Sequence, residues 1–157
     1  RGTSKMAAPR ISSLLGVQAT LSHDMPVLQL DPDQVLAAAR ALRDAHGYDM
    51  LLDVTAVDWL GQAPRFEVVW HFLASSDCTR VRVKTRVDEA DPTVDSLAPL
   101  YGSARFMERE CHEMLGIRFR GNDDLRPILL YEGFVGHPLR KDYDMHHEQP
   151  LVRYRDR

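Results

Sequence analysis

RFEVVWHFLASSDCTRVRVKTRV, residues 65–87, decides the architecture of this chain. From Phe66 the residues Phe66, Val68, Trp70 and Phe72 share one face of an extended segment, while Glu67, Val69, His71 and Leu73 share the other. A strand this apolar on both faces belongs inside a sheet. Ser75, Ser76 and Asp77 supply a turn, after which Val81, Val83, Thr85 and Val87 alternate with Arg80, Arg82, Lys84 and Arg86. That alternation is the signature of a strand with one buried and one wet face. Upstream, Met50–Trp59 is rich in β-branched residues and Gly61–Pro64 carries turn chemistry, so three successive strands form an antiparallel meander. The basic stripe reads as a solvated face whose charges also discourage edge pairing; without interleaved aromatic residues it does not make a nucleic-acid track.

Helical signals flank the meander. Asp31 and Pro32 open a helix over 32–46, with Val35, Leu36, Ala39 and Leu42 at helical spacing and Gly47 as the stop. Ser103 caps a second helix over 104–115, ended by Gly116. Its wheel predicts a buried stripe of Met107, Cys111, Met114 and Leu115, with Glu108 and Glu110 at the flanks and Arg109 and Glu113 pointing away. A helical turn is predicted over 90–97, broken by Pro99 and Gly102. From Ile117 to Tyr143 no period survives: Gly121–Asp124 is a turn, RPILLY (126–131) a brief apolar run, and GFVGHPLRKDY (133–143) a loop rich in special residues. The fold class is α+β: one domain over 6–143, with a mainly antiparallel sheet flanked by helices and a long irregular C-terminal segment. Residues 144–157 form a polar tail, and the RGTSK ahead of Met6 is expected to be a cloning remnant.

Composition narrows the function classes. The chain has 157 residues and a net charge of −3, which gives no global field for nucleic acid or an anionic membrane. Two cysteines, Cys78 and Cys111, lie far apart without metal-finger spacing and suggest a reducing compartment. No apolar run approaches the roughly 18 residues that span a bilayer.

Catalytic chemistry finds little footing. Glu108, Cys111 and His112 share a helical turn, but Cys111 faces the apolar stripe while His112 points elsewhere, so the three do not converge on one ion. His146, His147 and Glu148 sit in an extended tail, where neighbours point apart. There is no GxSxG elbow and no GxGxxG after a strand. What stands out is a dense set of charges on irregular backbone: Glu108, Arg109 and Glu110; Asp124 and Arg126; then His137, Arg140, Lys141, Asp142 and Tyr143. Backbone this irregular must be tied down by side chains or by another protein. Both readings, an internal network and a docking surface, are compatible with these residues.

In order, EREC (108–111), HEMLGIRFRG (112–121) and LRPILLYEGFVGHPLRKDY (125–143) resemble the C subunit of proton-translocating NADH-quinone oxidoreductase, the thirty-kilodalton subunit of respiratory complex I. The chain departs from that family at His112 and Glu113, where an aromatic residue and Asp are usual, and at Asn122, where His or Lys is usual. The resemblance implies a subunit of the hydrophilic arm that itself carries no cofactor, within a complex using NADH, FMN, iron-sulfur clusters and quinone. It implies packing on the D subunit and on other subunits of the hydrophilic arm, and a peripheral place on the cytoplasmic face of the bacterial inner membrane, touching the membrane only through the complex. Glu108, Arg109, Glu110, Arg126, His137, Arg140, Lys141, Asp142 and Tyr143 become the expected partner-binding residues. Gly133 and Gly136 allow close approach of a clamp, and Arg140, Lys141 and Asp142 pair with a partner or with the ERE helix. Alternatives are the equivalent subunit of a ferredoxin- or other donor-dependent relative, a free-standing binding module, or a small metal-dependent enzyme.

Overall fold

The computed structural model describes residues 11–149. The expected remnant RGTSK and the end of the expected tail, from Pro150, lie outside the described residues. A small hairpin of β1 (Ser13–Leu14) and β2 (Val17–Gln18) precedes β3 (Thr20–Ser22), β4 (Met25–Gln29), a single 3-10 turn (Pro32–Gln34) and α1 (Val35–Asp44). The meander follows as β5 (Met50–Asp58), β6 (Phe66–Ala74) and β7 (Thr79–Val87), then β8 (Thr93–Asp95), α2 (Ala104–Leu115) and β9 (Arg118–Arg120).

The meander forms in the register that the alternation demands. Trp70 stands opposite Val54 on one side and Val83 on the other. Every residue of β6 except His71 and Leu73 is buried, as its two apolar faces require. The full sheet has the order β3-β4-β7-β6-β5, so β7 lies at its centre and not at an edge. Its free side is taken by β4, the one parallel pair in an otherwise antiparallel sheet. The basic side chains of β7 thus do not guard an edge. Thr85 is wholly buried, and its hydroxyl donates to the Leu30 carbonyl at 2.8 Å, which fastens the chain leaving β4 to the sheet centre.

One face of the sheet and the two helices enclose the core. Val35, Ala38, Ala39 and Leu42 of α1 and Ala104, Cys111 and Leu115 of α2 join Phe66, Val68, Trp70, Phe72, Val81 and Val83 in one cluster. Three expectations need correction. Residues 93–95 are not helical: they make β8, parallel to β9, because the alternation in TVD and RFR lets Val94 and Phe119 enter the core together. The segment after Ile117 therefore keeps one short strand before its regularity ends. The stripe of α2 is Ala104, Glu108, Cys111 and Leu115, with Met107 and Met114 only partly buried. The spacing i, i+4, i+7, i+11 is a proper helical stripe, and a carboxylate occupies its second position.

Candidate functional site: a strap bolted to its own domain

Residues 121–149 contain no helix or strand, and they run as a strap across the C-terminal end of α2 and the loop end of the β5–β6 hairpin. The chain that carries them turns at Gly116, which closes α2 in the left-handed conformation at φ 79° and donates its N–H to the His112 carbonyl at 2.8 Å. Glycine is required twice over here. Left-handed backbone disfavours any Cβ, and a Cβ at this position would press on the His137 ring and the Arg140 guanidinium.

The last turn of α2 holds the strap by its own unsatisfied carbonyls. Helix ends leave such groups without internal partners. The Leu139 N–H donates to Met114 O at 3.1 Å, Arg140 Nε to Leu115 O at 2.7 Å, and the His137 ring Nδ1 lies 2.8 Å from Glu113 O. The contact with a carbonyl fixes Nδ1 of His137 as the protonated nitrogen. Burial and the neighbouring Arg140 hold this imidazole below its usual pKa, so it sits neutral. His112 makes the matching contact, Nδ1 to Ile117 O at 2.7 Å.

Two charged residues of α2 capture the strap's backbone directly. Glu113 accepts the N–H groups of Ile128, Leu129 and Leu130 at 3.2, 2.9 and 2.9 Å. Its carboxyl is held below its usual range because these three amides outweigh the penalty of burial. Arg109 donates to the carbonyls of Arg126 and Pro127 at 2.9 and 3.0 Å. The wheel sends both residues away from the protein, which holds only for the helix alone. The strap packs on that side, so Glu113 is buried and Arg109 partly buried.

Glu108 works inward. It is 0% exposed, and its carboxylate accepts Ser96 Oγ at 2.7 Å, the Leu97 N–H at 2.7 Å and Asn122 Nδ2 at 2.9 Å. Burial pushes this carboxyl up, and the three donors pull it back. It joins α2 to the end of β8 and to the turn after β9. The expectation that Glu108 flanks the stripe is therefore corrected: it lies within it and offers no surface charge. Asn122, where the chain departs from the family pattern, is one of its three donors.

The deepest bolt involves a residue that no motif in the sequence marks. Arg65 is 4% exposed, and all five of its N–H donors are used. Nε and Nη2 grip Asp58 at 2.8 Å each, Nη2 and Nη1 grip Asp142 at 2.6 and 3.0 Å, and Nη1 meets Glu89 at 2.5 Å. Asp58 also accepts the Lys141 N–H at 2.8 Å. The Arg65 and Arg140 guanidinium groups both lie over the Phe66 ring, at 4.9 and 5.0 Å. The Arg65 bonds depress Asp58 to about 2 and also lower Asp142. One cation thus joins both ends of the β5–β6 loop, the end of β7 and the strap.

Of the nine expected partner-binding residues, Arg109, His137, Arg140, Lys141 and Asp142 converge on the strap's attachment, the lysine through its backbone. Glu110 is exposed on α2, and Arg126 pairs with Asp124 at 2.8 Å on the surface. Tyr143 stacks on Phe134 at 6.2 Å, covers Gly136 and accepts Gln149 Nε2 at 2.6 Å. Residues 144–149 are mostly exposed. Among the described residues no group of three His, Cys, Asp or Glu side chains is placed to hold a metal ion.

The family model for the 30 kDa subunit of respiratory-chain NADH dehydrogenase matches residues 28–149. The chain belongs to this family. It is 46% identical over 113 residues to the NADH-quinone oxidoreductase C subunit of Citrifermentans bemidjiense, covering 72% of this chain and 70% of that one. It is 39% identical over 123 residues to the C/D subunit of NADH-quinone oxidoreductase from Bdellovibrio bacteriovorus, covering 78% of this chain and 22% of that longer one. Among solved structures it resembles a chain of the membrane-bound sulfane sulfur reductase, an archaeal respiratory membrane complex. That likeness has a TM-score of 0.73 and 26% identity, over 83% of this chain and 78% of that one. The match to the 30 kDa model takes in both the meander and the whole described strap.

Two outcomes test this geometry. Gly116→Ala is expected to cost about 1 to 2 kcal/mol from the left-handed backbone alone. Because its Cβ meets Arg140 and His137, it should also speed tryptic cleavage after Arg140 and Lys141; urea unfolding and limited proteolysis measure both. The second concerns acid. Asp58 titrates at about 2 in the fold against 3.8 ordinarily, so its contribution is present above that ordinary value and lost as pH falls toward 2. At 1.36 kcal/mol per pKa unit this amounts to about 2 kcal/mol. Urea unfolding at pH 4 and pH 2 should show that loss in the wild type and a much smaller change in Asp58→Asn. Parallel losses would contradict it.

Proposed function

We propose that this chain is a cofactor-free structural subunit of the hydrophilic arm of NADH-quinone oxidoreductase, docked on the D subunit beside the quinone site. On this reading the assembled complex passes electrons from NADH through FMN and iron-sulfur clusters to quinone and couples the transfer to proton translocation. The chain lies on the cytoplasmic face of the membrane and reaches the bilayer through its partners. Among the described residues no helix is long and apolar enough to cross a membrane.

The observation that carries the reading is the relative in which a sequence like this one is part of a single C/D polypeptide. Covalent fusion raises the effective concentration of two parts, and it is tolerated when the separate parts already meet. The chemistry of this chain supports a holding role. An iron-sulfur cluster of the usual kind takes four cysteine thiolates, and this chain has two cysteines. Cys111 is buried in the core with its thiol pushed well above its usual pKa, and Cys78 is exposed in the β6–β7 turn. The strap gives the chain a rigid, preformed surface, and preorganisation lowers the ordering cost of association.

A second reading, the equivalent subunit of a complex using another electron donor, draws on the likeness to the sulfane sulfur reductase complex. The higher identity to NADH-quinone oxidoreductase subunits favours the first.

Co-expression with the cognate D subunit tests the docking. The wild-type chain is expected to co-elute with it at one-to-one stoichiometry. Asp142→Ala should reduce the retained partner and lower the melting temperature of the isolated chain together. Loss of a hydrogen bond to a charged group costs about 1.5 to 3 kcal/mol, and the low end applies because Arg65 keeps Asp58 and Glu89 and the Asp142 side chain is 46% exposed. Failure of the wild-type pair to associate would remove the docking reading.

A further inference from the structure

Several charged residues at the strap's attachment are bonded within the chain, whereas others, Arg126, Glu132 and Lys141 among them, are exposed. Glu113, Arg109, Arg140 and Asp142 are spent on the chain's own amides, carbonyls and Arg65. Among the described residues, twelve large apolar side chains are exposed, and six of them fall between Ile128 and Met145. Leu129, Val135 and Leu139 are 61, 62 and 61% exposed, and Met145 is 85% exposed.

The strap is therefore bonded by polar groups to α2 and to the loop end of the β5–β6 hairpin, and among its exposed charges it shows large aliphatic side chains to solvent. A backbone without regular structure gains no packing from holding three branched aliphatic residues in water. Clustered exposure of this kind marks an interaction surface. The outer residues are also presented rigidly. Ile128, Leu129 and Leu130 are pinned by Glu113, Val135 is pinned at both N–H and C=O by the Gln149 side chain at 3.2 and 2.9 Å, and the Leu139 N–H is pinned by Met114 O. Nearby in the strap, Phe134 meets Tyr131 edge-on at 5.6 Å and stacks on Tyr143 at 6.2 Å. Tyr131 and Phe134 also border a cleft of about 170 Å³ closed on its other side by His112, Leu125 and His137.

From this geometry we infer that Leu129, Val135 and Leu139 form the apolar anchor by which the strap grips the D subunit, while the charged residues bonded at its attachment hold it in shape. The inference rests on the docking reading above and assigns its chemistry. Charges already satisfied within one chain gain little from a partner, because burying them repeats a desolvation cost that their internal bonds have met. Exposed aliphatic side chains gain from every square ångström that a partner covers. The occupant fits the fused relative, a C/D subunit that joins the two in one polypeptide. The partner should meet the anchor with an apolar, weakly charged surface.

The test is co-expression of the full chain with the cognate D subunit, followed by biolayer interferometry of the purified pair. Leu129→Asn, Val135→Asn and Leu139→Asn are made singly and together, with Arg80→Glu on the far face of the sheet as control. The triple variant is expected to bind the partner at least a hundredfold more weakly, each single variant three- to tenfold more weakly, and the control as wild type. The isolated variants should melt within a degree or two of wild type, since all three positions are exposed. A Val135→Ser, Leu139→Ser pair provides the same readout if the asparagine variants misfold. Wild-type affinity in a folded triple variant overturns the anchor and leaves the docking reading standing; no binding by the wild-type chain removes both. If the isolated chain is a dimer that the triple variant dissolves while the D subunit still binds, the anchor's occupant is a second copy and the inference is wrong.

Discussion

Arg65 is the constraint from which the rest of the site follows. A guanidinium 4% exposed and always protonated must find acceptors inside the protein, and its five donors take them from Asp58, Glu89 and Asp142. Asp58 and Arg65 sit at the two ends of one hairpin loop, whereas Asp142 comes from a segment 77 residues later. The third carboxylate on this cation thus comes from the strap. Around that point the strap threads the open carbonyls of α2 and the carboxylate of Glu113, so an irregular segment acquires backbone partners without forming a helix or strand. Gly116 makes the approach possible by leaving out the one atom that would fill the contact.

The division of labour is unusual only in where the polar groups face. Several charged residues whose order along the chain suggests a partner surface, Arg109, Arg140 and Asp142 among them, are bonded within the domain, while Glu110, Arg126 and Lys141 are exposed. Glu108 is the extreme case, a carboxylate in the middle of an apolar stripe, made tolerable by three donors from Ser96, Leu97 and Asn122. The helix wheel sorts side chains by spacing alone, whereas the burial of a charged group depends on donors from elsewhere in the chain. The chain belongs to a family of respiratory-complex subunits, and its strap is bonded to its own domain.

The meander is legible in the sequence because its strands carry their pattern locally: β6 is apolar on both faces, and β7 alternates. The pairing of β4 with β7 is not, since a parallel neighbour 55 residues away leaves no mark in either strand's own period. The stretch 93–95 reads as helix because three residues cannot display a period, and its strand character comes from β9 alone. In the site, the order of charges in HPLRKD marks the strap. Arg65 looks like the polar edge of a strand, and Glu113 looks solvated because the segment that covers it has no periodicity to announce itself.

The strap is fixed by its own domain before any partner arrives. Amide hydrogen exchange of the isolated chain tests this most directly, read at Ile128, Leu129, Leu130 and Lys141, whose N–H groups bond Glu113 and Asp58. These four amides are expected to exchange at least tenfold more slowly than in an unstructured peptide, and Glu113→Gln should speed the first three. Exchange of all four at the unstructured rate, while β6 stays protected, would contradict it.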